Sequence, residues 1–432
     1  MRDLSSDDPD VRLHAIVALG AIGPAASEAV PALLALIQLP DAELQRLAVH
    51  WQRSYQKGIL RQGQYTSGSV LVNVLPGQST DEQMVAGDLE RPPAAIDFKA
   101  LLRGNLRLSM IETLARIGPG AQDATPTLLR LLADDDVHDR AAYALTQIGP
   151  PVVPALLESL KSSEPEMQIR ITETLGRMGA QAQTSIPVLI DLLNDERLFG
   201  SAAAALGKMG PASVPSLMLA LTHTRGVGGK TDTNYRTRQG AAEALGDIGS
   251  AASQAVPALI ESLKDQTWTV RMEAGMALSK IDREAAASAL LQVLDDRNPY
   301  IRSTAAATLG QIRPVVHPAI PALLRRLGQD ENKHVRIHSA TALSEMVDSA
   351  TPEAVPALLE ALKDSRNKDE FLQRQIIHAL GSIGAQAHEA VPTLTELMHD
   401  SNVDVRSAAS LALSQIQPAA KSSDSPESTS IR

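Results

Sequence analysis

The chain is 432 residues long, 44% hydrophobic but only 2% aromatic, with a net charge of −10 and no cysteine. That much apolar surface excludes a disordered chain, and being Leu, Ala, Val and Ile it suits close helix packing better than an aromatic-lined cofactor cavity. The acidic balance argues against nucleic acid and anionic membrane, the missing cysteine excludes disulfides and thiolate chemistry, and no apolar run reaches the roughly 18 residues of a membrane span.

Residues 1–38 form the first repeat. Met1 to Asp10 is polar and has no signal-peptide core, so a cytoplasmic location is expected. A phrase then begins: Asp8-Pro9-Asp10-Val11-Arg12, Ala15, Ala18-Leu19-Gly20, Ile22-Gly23, and Ala29-Val30-Pro31-Ala32-Leu33-Leu34. Apolar spacing predicts a helix from Val11 to Ile22. Gly23 ends it in the left-handed cap conformation, and Pro31 opens a second helix in its first turn, where the missing N–H costs nothing. No capping helix precedes Val11, although solenoid ends normally carry one; more chain upstream or a covering partner is expected.

Residues 39–103 break the phrase and read as a degenerate repeat with a long insertion. Asp41 to Arg53 reads as a helix, Tyr55 to Asp97 as a loop with one β-prone patch from Val70 to Leu75, and Phe98 to Leu102 as a worn second helix. Loops above about 15 residues are usually functional or disordered; this one reads as a tolerated insertion, with a partner-contacting loop as the alternative.

Across 104–417 the phrase resumes. Its proline recurs at Pro126, Pro154, Pro187, Pro215, Pro257, Pro321, Pro356 and Pro392, with Ser288 in one proline's place. Undisturbed spacings run from 28 to 36 residues, and the 95 residues from Pro31 to Pro126 amount to about three periods. Gly118, Gly149, Gly179, Gly210, Gly249 and Gly384 repeat the stop signal. Asp-rich turns at Asp134 to Asp136, Asp195, Asp265, Asp295-Asp296 and Asp364 are expected to cap the helices that follow. About ten units and a final half-unit, Asn402 to Gln417, result. A fixed period in this range marks a stack of repeats. The loop near 223–235 carries Arg225-Gly-Val-Gly-Gly-Lys-Thr231, but Thr224 stands where a phosphate loop needs glycine, and no strand precedes it. Residues 418–432 read as a disordered polar tail.

The helix-pair rhythm, the Val-Arg start and the Val-Pro opening resemble the short HEAT-like repeats of the phycobilin-lyase type, across residues 8–38 and 104–417. The resemblance implies an all-α fold, a right-handed α–α superhelix of the HEAT-like, armadillo-type solenoid class with about ten helical hairpins. Tetratricopeptide units need recurring Trp, Tyr and Phe, ankyrin units a Thr-Pro-Leu-His phrase, and leucine-rich repeats a strand and an Asn ladder; none is present.

Two residue rows carry candidate chemistry. A lead arginine recurs as Arg12, Arg107, Arg238, Arg271, Arg302, Arg336 and Arg406, replaced by His138, Gln168, Phe199 and Gln373, with Arg140 and Arg170 two positions later. One arginine per repeat beside an acidic turn reads as a self-neutralising inter-repeat ladder. The second row lies four residues after each proline and supplies the expected partner-binding residues Glu158, Asp191, Glu261, Arg325, Glu360 and Glu396, mostly acidic and placed by analogy on the concave side. His334 and His338 have metal-sharing spacing but no third ligand. Deoxyhypusine hydroxylases hold iron with several His-Glu pairs, whereas this chain has only His388-Glu389.

The resulting expectation is a non-catalytic protein–protein scaffold that binds a basic or helical protein segment on its concave surface, without cofactor, metal, nucleic acid or membrane. The alternative, implied by the repeat resemblance alone, is a bilin lyase or a bilin- or phycobiliprotein-handling factor, in which Arg325 and Arg326 would hold the anionic tetrapyrrole.

Overall fold

A computed structural model describes residues 4, 9–40, 66–67, 70–71, 106–222, 234–312, 317–365 and 369–417. The helices form a run of hairpins, each a lead helix followed by a proline helix. They are α1 (Pro9–Ile22) with α2 (Val30–Ile37), α3 (Leu106–Ile117) with α4 (Thr125–Leu131), and α5 (His138–Ile148) with α6 (Val153–Ser162). Next come α7 (Pro165–Met178) with α8 (Ile186–Leu192), α9 (Phe199–Lys208) with α10 (Val214–Leu221), and α11 (Tyr235–Ile248) with α12 (Val256–Ser262). The last are α13 (Trp268–Ile281) with α14 (Arg283–Val293), α15 (Pro299–Gln311) with α16 (Ile320–Gln329), α17 (Lys333–Met346) with α18 (Val355–Ser365), and α19 (Glu370–Ile383) with α20 (Val391–Leu397). A final lead helix, α21 (Val403–Ile416), follows. This is the expected all-α helical-repeat fold. Among the described residues the only strands are the two-residue pair β1 (Thr66–Ser67) and β2 (Val70–Leu71).

Local chemistry sets each hairpin. All seven stop glycines take positive φ, from 57° to 85°. At Gly23, for example, φ is 66°, a region closed to most side chains. A short 3-10 turn such as Gly23–Ala29 or Gly384–Ala390 then leads to the proline helix. The seventh hairpin differs. Asp282 alone links its helices, and its carboxylate caps α14 by accepting from the Ala285 N–H at 3.0 Å. Ser288 therefore lies inside α14, not at its start.

The expectation that the turn acids cap the lead helices needs correction. Asn298, Asn332 and Asn402 are the caps, accepting from the N–H groups of Tyr300, His334 and Asp404 at 3.0, 2.9 and 2.8 Å. Asp296, Asp330 and Asp400 sit two residues earlier and accept from the N–H of those asparagines at 2.7, 2.9 and 2.8 Å. The acids shape the turn, and the shorter reach to the helix N–H groups falls to Asn. Asp369 does cap its helix, accepting from the Leu372 N–H at 2.9 Å.

The proline helices have one buried and one wet face. Two residues after the proline, Leu33, Leu128, Leu156, Leu189, Leu217, Leu259, Leu323, Leu358 and Leu394 are all fully buried. Four residues after it, the side chain is exposed in every repeat.

The chain divides into two compact units: Met1–Leu189 with Ala204–Met209, and Ile190–Ala203 with Gly210–Arg432. In the first, α1 packs on α3, α3 on α5 and α5 on α7. Thr113 Oγ1 donates to the Ile16 carbonyl at 3.4 Å, and Gln38 Nε2 to Thr127 Oγ1 at 3.3 Å. The hairpins flanking residues 41–105 are thus direct neighbours. The helical run His14–Ile37, 24 residues, is long and apolar enough to cross a membrane, which the sequence reading did not anticipate. It is bent at Gly23, and its Ile16 and Leu33 are fully buried within the first unit.

In the second unit the lead helices pack in order from α11 to α21. Their spacing is set by small residues: a Cβ added at Gly246, Gly310 or Gly381 would meet the Cα of Ala277, Ala342 or Ala412 at 2.9, 2.7 or 3.1 Å. The glycine of a proline helix, Gly328, faces open space instead.

Candidate functional site

Glu158, Asp191, Glu261, Arg325, Glu360 and Glu396 are all exposed. Glu158 belongs to the first unit and the other five to the second. Exposure is all they share. Glu158 pairs with Lys161 of its own helix at 2.7 Å, and Arg325 pairs with Asp295 at 3.2 Å. Leu219, 66% exposed, stands at the same position in α10 and breaks the acidic row. The second arginine of the bilin reading, Arg326, is also engaged, with Asp295 and, at 3.4 Å, with Asp330.

The lead arginines form the expected ladder. Arg238 donates through Nε and Nη2 to the two Asp265 oxygens at 2.8 and 3.1 Å. Arg271 Nη1 donates to the Asp265 and Gln266 carbonyls at 2.8 and 2.9 Å. The pattern recurs two repeats later: Arg302 holds both oxygens of Asp330 at 2.8 and 2.7 Å, while Arg336 donates to the Asp330 carbonyl at 2.8 Å. Each such aspartate therefore joins two consecutive arginines. Arg406 repeats the carbonyl half, to Asp400 at 2.7 Å. Arg170, two positions late, donates to the Leu132 carbonyl and Asp135 at 2.8 and 2.6 Å. Burial raises the Asp330 carboxyl, but the Arg302 hydrogen bonds, the Asn332 N–H and the charges of Arg302 and Arg326 pull it below the ordinary aspartate value. These cations are committed to structure.

The sequence reading missed the outward face of the lead helices. On α13, Trp268, Met272 and Met276 recur every fourth residue and stay at least partly accessible. Such residues share one helix face. Trp268 is 53% exposed, and Tyr300, in the first turn of the neighbouring α15, is 65% exposed. Phe371 starts α19 at 43% exposure. Arg374 lies over its ring at 5.5 Å, as Arg236 lies over Tyr235 at 5.8 Å. In a chain with only 2 Trp, 5 Tyr and 3 Phe, five of them, Phe199, Tyr235, Trp268, Tyr300 and Phe371, lie in the first turn of lead helices and within the second unit.

Two carboxylates border this stripe, Glu243 on α11 and Glu273 on α13. Both are partly buried, and among the described residues neither forms an ion pair within 4 Å. Burial, then the charges of Glu273 and Asp247, holds Glu243 above the ordinary glutamate value; Lys280 offsets part of this. Burial likewise raises Glu273, against the pull of Lys280. Lys280 itself pairs with Asp247 at 2.9 Å.

His338 Nδ1 lies 2.7 Å from Ser303 Oγ, and burial lowers its pKa. His334 is exposed beside the Asn332 cap. Among the described residues no group of three or more His, Asp or Glu side chains is placed to hold a metal. Most of the 39–103 insertion, the Arg225 to Thr231 segment and the 418–432 tail lie outside the described residues.

Residues 133–207, 230–310, 287–371 and 366–429 match the HEAT repeats family. These stretches cover well over half of the sequence, and the chain belongs to the HEAT-repeat family. No curated protein matches it. Among solved structures, an engineered protein is 23% identical over 72% of this chain and 95% of its own, with a TM-score of 0.34. Kap121p bound to Nup53p is 15% identical over 96% of this chain and 48% of its own, with a TM-score of 0.48. Kap121p bound to Pho4p is likewise 15% identical, over 96% and 49%, with a TM-score of 0.48. The chain spans about half the length of Kap121p.

Proposed function

We propose that this protein is a non-catalytic scaffold that binds a protein partner on the outward face of its lead helices. The observation that carries the reading is the stripe of exposed Trp268 and half-buried Met272 and Met276, with exposed Tyr300 on the neighbouring helix, in an aromatic-poor chain. Aromatic residues and methionine are enriched where proteins bind one another.

Helix spacing supports the same face. The lead helices of the second unit approach to backbone contact through Gly246, Gly310 and Gly381. The layer with the shorter spacing lies inside a bend, so within this unit the lead helices are the better candidates for the concave side. The acidic row Glu261, Glu360 and Glu396 then lies on the other layer, where exposed acids keep a protein soluble. The bilin alternative draws no support from Arg325 and Arg326, both paired with Asp295. The finer likeness to phycobilin-lyase repeats rests on the repeat phrase alone.

Affinity purification of the tagged full chain, followed by size-exclusion chromatography, tests the scaffold reading. Recovery of a stoichiometric protein complex is expected. A chain that elutes alone under all extraction conditions, or that co-purifies with a tetrapyrrole, would refute it.

A further inference from the structure

The partner's chemistry can be read from what surrounds the exposed stripe, resting on the scaffold reading above. We infer that the face of α11, α13 and α15 takes a basic segment of a partner protein, whose cationic groups meet Glu243 and Glu273 beside Met276 and whose apolar side chains lie on Met272, Trp268 and Tyr300.

Several acids along the lead-helix layer are matched: Asp247 by Lys280, Asp369 by Lys333 at 2.6 Å, Asp404 by Arg374 at 3.2 Å, and Glu196 by Arg236 at 3.2 Å. Glu243 and Glu273 break that pattern on adjacent helices. Lys280 attracts both but forms its ion pair with Asp247, and a half-buried carboxylate without an ion pair of its own favours a cation brought from outside.

Geometry places apolar surface beside it. Glu273 and Met276, three residues apart on α13, are neighbours on one helix face about 4.5 Å apart along the axis, while Trp268 lies one and a half turns earlier at the far edge of the same outward surface. A lysine or arginine stem spans such a distance, its methylenes covering a thioether surface while its charge reaches the carboxylate. The exposed rings of Trp268 and Tyr300 add cation–π attraction for cationic side chains of the same segment, and this chain already pairs Arg236 with Tyr235 and Arg374 with Phe371 in that way. The methionines are flexible and fit an irregular surface. A nucleic acid or an anionic lipid meets the wrong charge here.

The test uses the full chain in a Trp51→Phe background, which leaves Trp268 as the only tryptophan. Two fluorescein-labelled peptides serve as probes, one alternating Lys and Leu and the other Glu and Leu. The Lys/Leu peptide is expected to bind, by anisotropy, and to shift the Trp268 emission. The Glu/Leu peptide is expected not to bind. Glu243→Gln with Glu273→Gln should weaken binding at least tenfold, while Glu261→Gln with Glu360→Gln on the proline helices leaves it unchanged. Circular dichroism must show both variants equally helical. Equal weakening by the two variants, no change in either, or binding of the acidic peptide would overturn the inference. If the Glu243/Glu273 variant still captures the partner found by affinity purification, the basic-segment assignment fails while the scaffold reading stands.

Discussion

Arg238 and Asp265, 27 residues apart in sequence, form a two-pronged ion pair in which each side chain is only 1% exposed. Asp265 also offers its carbonyl to Arg271 of the next repeat at 2.8 Å. One acid thereby fastens two successive arginines. Removing one partner of a buried pair leaves an uncompensated charge, which costs about 3–5 kcal/mol. Asp265→Ala is therefore expected to lower unfolding stability by that amount in urea titrations, whereas Glu158→Ala, which breaks an exposed pair, stays within about 0.5 kcal/mol. Equal effects would show that the ladder is not structural.

The glycines of the two layers should respond with opposite sign. Gly310→Ala places a Cβ 2.7 Å from the Ala342 Cα, where backbone has to move. Such overpacking costs about 1–3 kcal/mol. Gly328→Ala meets open space inside a helix and should gain up to about 1 kcal/mol from helix propensity. Thermal melts of the two variants give the comparison.

Leu259 is fully buried between repeats, and Leu259→Ala is expected to cost about 2–5 kcal/mol through the cavity it leaves. Because repeats contact mainly their neighbours, the loss should appear as an early partial transition rather than a uniform shift. Hydrogen exchange would place that opening around residues 235–293. A loss below about 0.5 kcal/mol would contradict the burial.

The raised Glu243 and Glu273 make stability depend on pH in a defined direction. A carboxyl that ionises less readily when folded contributes stability below its unfolded pKa, and that contribution is lost as pH rises through its folded value. Relative to the Glu243→Gln, Glu273→Gln variant, the wild-type chain should gain stability as pH falls from neutral toward the ordinary glutamate value of 4.5. Asp330, held low by Arg302 and its neighbours, works oppositely, and its contribution disappears only in stronger acid. Paired urea titrations across this range separate the two; a difference that does not vary with pH would contradict the assignment.

The repeat was legible because each of its signals is local. Gly23 and Gly384 stop helices and Pro257 starts one through their own backbone constraints, and Leu259 follows from helical spacing. The ladder was legible too, since Arg238 and Asp265 recur at fixed positions. The direct packing of α1 on α3 was not, because a 95-residue gap looks the same whether it adds stacked repeats or bypasses them. The Trp268 face was missed for a similar reason. Trp268, Tyr300 and Phe371 lie two or three residues before the lead arginine position, a recurrence visible in sequence. Their accessibility, and the lack of a partner for Glu273, depend on neighbouring helices.

Hydrogen–deuterium exchange of the full chain, free and in complex with its purified partner, tests the central claim most directly. Binding should slow exchange along residues 235–248, 268–281 and 299–311. Slowing confined to 256–262, 320–329 and 355–365 would place the contact on the proline helices and contradict the account.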